Sequence, residues 1–120
     1  MKLLALVNAV AVALWLLLWG LADAHAANLT PRQQRARQAI IAVWPKAYER
    51  AALSVSWCES RLYVWATNGQ YRGLFQVSAY WRRTVPGWGS GAYAQARHAL
   101  AVFRVTGSTW AHWSCRTVLS

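Results

Sequence analysis

Residues 57–77 read Trp57-Cys58-Glu59-Ser60-Arg61-Leu62-Tyr63-Val64-Trp65-Ala66-Thr67-Asn68-Gly69-Gln70-Tyr71-Arg72-Gly73-Leu74-Phe75-Gln76-Val77. The texture changes inside this stretch. Up to Ser60 the chain is rich in alanine, and its apolar positions recur at helical intervals: Tyr48, Ala51, Ala52, Val55, Cys58 and Glu59 fall on neighbouring faces of a helix from Pro45 or Lys46 to Ser60. Glu59 then lies in the last turn. Beyond Leu62, strand formers (Tyr63, Val64, Trp65) lead into Asn68-Gly69, a strong two-residue hairpin signal, with Tyr71–Val77 as the return strand. A helix handing over to a small hairpin lobe is therefore expected.

Working outward, Thr30-Pro31-Arg32-Gln33 carries a hydroxyl N-cap, proline at the first helical position and glutamine at the third. A basic helix should follow, with Arg32, Arg35 and Arg37 outward and Ala36, Ile40 and Val43 inward. Trp44-Pro45 ends it, because the residue before a proline is pushed out of helical geometry. On the other side, Val85–Gly91 is a glycine- and proline-containing loop. Ala92–Val105 is helical, with Tyr93, Ala96, His98, Ala99, Leu100 and Phe103 spaced for burial and Gly107 as a stop. The fold class expected is mainly α with a minor β element (α+β).

The chain has 120 residues and a net charge of +10. Lys2, an apolar run from Leu3 to about Trp19, and Ala24-His25-Ala26 form the three parts of a secretory signal, giving a signal peptide over residues 1–26. The competing reading is an uncleaved membrane anchor. Residues 27–45 are read as the N-terminal basic helix and 46–120 as the main domain. Loss of Lys2 and Asp23 together leaves the charge at +10, so the exported part repels itself and attracts polyanions. Outside the membrane, anionic cell-wall polymers are the more accessible partner than nucleic acid. In an exported chain Cys58 and Cys115 form, most simply, a disulfide. With His98 and His112 they show no metal-ligand spacing, so no metal is expected.

The chain holds three acids, and only Glu49 and Glu59 lie beyond the leader. Burial disfavours a carboxylate anion, and a carboxyl kept protonated can donate a proton; Glu59, among apolar side chains, invites that use. Protonating a leaving oxygen is what glycosidic cleavage requires. The usual second carboxylate is missing: Glu49 precedes Glu59 by ten positions on one helix, about 15 Å of axial rise. Only a substrate that brings its own nucleophile, such as an N-acetyl sugar, suits one carboxylate. The plain alternative is that Glu59 pairs with Arg61 or another of the twelve basic residues beyond the leader. Glu49, flanked by Lys46 and Arg50, reads as a solvated helix face. Of nine tryptophans, Trp44, Trp57, Trp65, Trp81, Trp88, Trp110 and Trp113 lie beyond residue 26, more than a small domain fully buries. Trp88 in the glycine-rich loop and Trp81 beside Arg82 are the rings expected to face a ligand.

Cys58-Glu59-Ser60, Gly73-Leu74-Phe75-Gln76-Val77 and Trp110-Ala111-His112-Trp113-Ser114-Cys115 together resemble the lysozyme-like superfamily of soluble lytic transglycosylases and goose-type lysozymes. The similarity runs from about Ala47 to Cys115. It implies a lysozyme-like helical domain that cuts peptidoglycan between N-acetylmuramic acid and N-acetylglucosamine, with Glu59 as catalytic acid and then base. It further implies that Ser60 supports the helix end or Glu59, that Gln76 lines the sugar cleft and that Gly73 gives the glycan close backbone approach. Gln95, and the rings of Trp81 and Trp88 from their own reading, are expected at the substrate with them. No cofactor is implied, and a monomer acting on glycan strands is expected. Many relatives carry Asn where this chain has Gln95, and the Ala-Tyr-Asn segment of many transglycosylases is missing. The other classes are a non-catalytic wall-binding module of the same shape, and a cationic tryptophan-rich protein acting on membranes.

Overall fold

A computed structural model describes residues 28–120; the expected leader, 1–26, lies outside the described residues. The elements run α1 (Pro31–Val43), α2 (Lys46–Ser60), β1 (Thr67–Asn68), β2 (Tyr71–Arg72), α3 (Ala79–Thr84), α4 (Ala92–Val105) and a closing 3-10 helix (Ser114–Leu119). The protein is thus mainly helical with one two-stranded antiparallel sheet, paired Thr67 to Arg72 and Asn68 to Tyr71.

The proline break falls as read: Pro45 holds an extended conformation and α2 starts at Lys46. α1 buries Gln33, Ala36, Ala39 and Ile40 against α4 and α2. Its small inward residues let the helices approach closely, while Arg32 and Arg35 stay exposed. α4 buries Ala96, His98, Ala99, Leu100, Val102 and Phe103, but Tyr93 is exposed, contrary to expectation. Trp44 fills the centre, with its ring centroid 5.5 Å from Phe75, 5.3 Å from Phe103 and 5.2 Å from Trp110.

The hairpin is shorter than the strand propensities suggest. Tyr63 is irregular and Val64–Trp65 forms a turn rather than strand, and the return strand stops at Arg72. Arg72 and Val77 then bridge each other (N–O 3.1 and 2.9 Å), closing a tight loop over Gly73–Gln76. Helix α3 was not anticipated; Ser78 caps it by accepting from the Trp81 amide at 3.4 Å. Cys58 and Cys115 are disulfide-bonded (Cα–Cα 5.9 Å), fastening the 3-10 helix to the end of α2. No described helix is long and apolar enough to cross a membrane.

Candidate active site

Glu59 is the penultimate residue of α2. The helix ends because Arg61 turns left-handed (φ 55°), and Leu62 repeats the turn (φ 62°), so the chain leaves the helix axis abruptly. Gln33 helps hold this exit, its Nε2 donating to Arg61 O at 2.9 Å. Non-glycine residues in that region cost free energy, and such strain gathers near functional sites. A third, Gln76 (φ 47°), faces the same cleft.

That cleft, about 560 Å³, is walled by three segments: Glu59–Arg61 at the end of α2, the hairpin residues Ala66, Thr67, Asn68 and Tyr71 with Gln76, and the C-terminal residues Ala111–Ser114 and Arg116. Among the described residues Glu59 is the cleft's sole carboxylate, and Glu49 is not part of it. The Glu59 carboxyl is anchored from one side: the Ser114 hydroxyl donates to Oε1 at 3.0 Å and the Cys115 amide at 2.9 Å. Oε2 has no hydrogen bond from the described residues. The expected pairing with Arg61 does not form; the Arg61 guanidinium instead lies 5.1 Å from the Trp57 ring centroid. The apolar enclosure expected around Glu59 is only partly realised, since the side chain is half-buried and its neighbours are mostly polar.

Of the other residues singled out in the sequence, Ser60 and Gln76 line the cleft with Glu59. The Ser60 hydroxyl is turned inward, 2.7 Å from Leu74 O, and Ser56 one turn earlier donates to the same carbonyl at 2.9 Å. These two serines dock the Gly73–Val77 loop onto α2. Gln76 Nε2 donates to Ala66 O and Gly73 O, each at 3.0 Å, tying the loop to the hairpin.

Gly73, Trp81, Trp88 and Gln95 are not among the cleft-lining residues. Gly73 is needed (φ +83°), but the group that approaches it is protein: a Cβ there would sit 2.5 Å from Gln95 Oε1 and 2.8 Å from the Trp88 ring. Gln95 is buried, accepting from Leu74 N at 2.9 Å and donating to Val64 O at 3.0 Å and Ser90 O at 3.4 Å. Trp88 packs edge-on to His98 (5.5 Å) with the Arg82 guanidinium 5.5 Å from its ring centroid. Trp81 supports the cleft indirectly, its ring 5.4 Å from that of His112, which lines the wall. Both indoles are half-buried, and among the described residues the indole most open to solvent is Trp65, 51 % exposed.

His98 is 1 % exposed, and its Nε2 lies 2.9 Å from Val85 O and 3.2 Å from Trp81 O. Two acceptors require Nε2 to carry the proton, while Nδ1 is buried without a partner among the described residues. Burial holds this imidazole below the usual histidine range; the two carbonyls oppose that shift and Arg82 reinforces it. No group of three or more His, Cys, Asp or Glu suited to a metal occurs among the described residues.

Sequence reasoning missed His112, Ser114 and Arg116 at the cleft. One signal was available for Ser114. Glu59 follows Cys58 and Ser114 precedes Cys115, so the disulfide alone brings these neighbours together. Comparison of the chain with family models, curated proteins and solved structures finds no match.

Proposed function

We propose that the protein is an exported, lysozyme-like enzyme that breaks the glycosidic bond between N-acetylmuramic acid and N-acetylglucosamine in peptidoglycan. The observation that carries this is the single carboxylate, Glu59, anchored through Oε1 by Ser114 and Cys115 in an open cleft. Oε2 protonates the leaving oxygen as the bond breaks and an oxocarbenium-like charge develops on the sugar. With no second carboxylate on the wall among the described residues, the charge is captured from the substrate's side, by its acetamido group or by its own 6-hydroxyl closing a 1,6-anhydro ring. Glu59 then takes a proton back from the attacking hydroxyl or water. Arg61, Arg116 and His112 suit a substrate that carries carboxylates.

The test is release of soluble fragments from purified peptidoglycan, with their ends analysed. Anhydro ends identify a transglycosylase and reducing ends a hydrolase. Tight binding without release would instead make the protein a non-catalytic wall-glycan module.

A further inference from the structure

A second feature lies outside the cleft. Arg32, Arg35 and Gln38 recur at every third position of α1 and line one side of a groove of about 480 Å³. This spacing stacks them on one helix face at steps of about 4.5 Å. Trp65 and Tyr93, 51 % and 49 % exposed, line the same groove, which contains no acid among the described residues. The Arg32 guanidinium lies 5.0 Å from the Trp65 ring centroid. Stacking on the indole orients the guanidinium plane and leaves its N–H edges for a bidentate acceptor.

We propose that this groove is a second binding site, for a glycan strand bearing carboxylates. Arg32 and Arg35 take successive acid groups, Gln38 donates to a further oxygen, and Tyr93 with the outer edge of Trp65 meets the C–H faces of the sugars. A row of donors without an acid calls for a polyanion. The Trp65 ring already carries Arg32 over its face and Tyr63 at 4.8 Å, which works against stacking of nucleic-acid bases. Position points to a glycan as well. Val64 and Trp65 border the groove while Ala66 and Thr67 border the cleft, so the two sites flank one short stretch of chain. The preference for a glycan over another polyanion rests on the proposed substrate of the cleft; the anion site itself does not.

The experiment measures binding to polygalacturonate, a carboxylated glycan that is not peptidoglycan, with neutral dextran and single-stranded DNA of equal charge alongside. The parent protein should bind polygalacturonate, and bind dextran at least tenfold more weakly. Arg32→Ala/Arg35→Ala should lose tenfold or more, and Trp65→Ala several-fold through a loosened Arg32. Arg97→Ala/Arg104→Ala removes the same charge from exposed positions on α4 and should lose less than threefold. Equal losses in the two double variants would overturn the site in favour of general charge attraction. Tighter binding of the DNA, lost with Arg32 and Arg35, would overturn the glycan assignment. Failure of the peptidoglycan assay would leave all these readings intact, so the two proposals fail separately.

Discussion

The wall around Glu59 and the packing around Gln95 use similar residues to opposite ends. Gln95 spends its whole amide inside the protein, on Leu74, Val64 and Ser90. Glu59 has one oxygen anchored, by Ser114 and Cys115, and keeps the other unengaged by the described residues. Around Gln95, Gly73 and Trp88 close the remaining space, whereas around Glu59 the hairpin and the C-terminal segment stand apart and leave a cleft. One region is closed by its own side chains, and the other stays open. Substitutions should therefore separate into those that cost stability and those that cost chemistry.

Gly73→Ala should have the largest effect on stability. Its Cβ would meet Gln95 and Trp88 in a backbone conformation that side chains avoid, costing about 2–3 kcal/mol. A thermal melt checks this, and an unchanged midpoint would mean that the packing around Gln95 yields more easily than its contacts indicate. Ser114→Ala should act on the other region. Loss of one hydrogen bond to Oε1, worth about 1 kcal/mol, should slow turnover roughly fivefold. The melting midpoint should hardly move and KM should change little; a fall in stability without a fall in rate would place Ser114 with the packing residues.

The smallest expected effect is on pH dependence. The unfolded chain takes up a proton at an ordinary histidine value of 6.5, whereas buried His98 resists it to lower pH. Stability is therefore full above that value and declines as pH falls through it toward the lower folded-state value. His98→Gln, which can still donate a hydrogen bond but cannot titrate, should flatten this slope. An unchanged slope would show that other groups set the acid sensitivity.

Elements with strong periodicity or punctuation were legible from the residues. The proline break at Pro45, the span of α2, the body of α4 and its stop near Gly107 all follow from local rules. The disulfide followed from two cysteines in a chain read as exported. The strands were over-read, because Tyr63, Val64 and Trp65 have strand propensity but no partner strand in register with them. At the site, Glu59 was singled out from its setting and Ser60 and Gln76 only through the resemblance; all three line one cleft. Trp81, Trp88 and Gln95 were not, because a ring or an amide near glycines reads the same whether it faces a ligand or a neighbouring helix. What distinguishes them is long-range: Gln95 reaches across the fold to Val64, and Trp88 to Gly73. Such contacts leave no trace in local pattern.

The central claim is that one carboxylate does the chemistry. Fragment release from purified peptidoglycan by the parent, Glu59→Gln and Glu49→Gln tests it most directly. Removing the proton donor should lower the rate by about 10²–10⁴-fold with the melting midpoint unchanged, while Glu49→Gln should retain the parent's rate. Equal rates for the parent and Glu59→Gln, or an equal loss in both variants, would contradict the account.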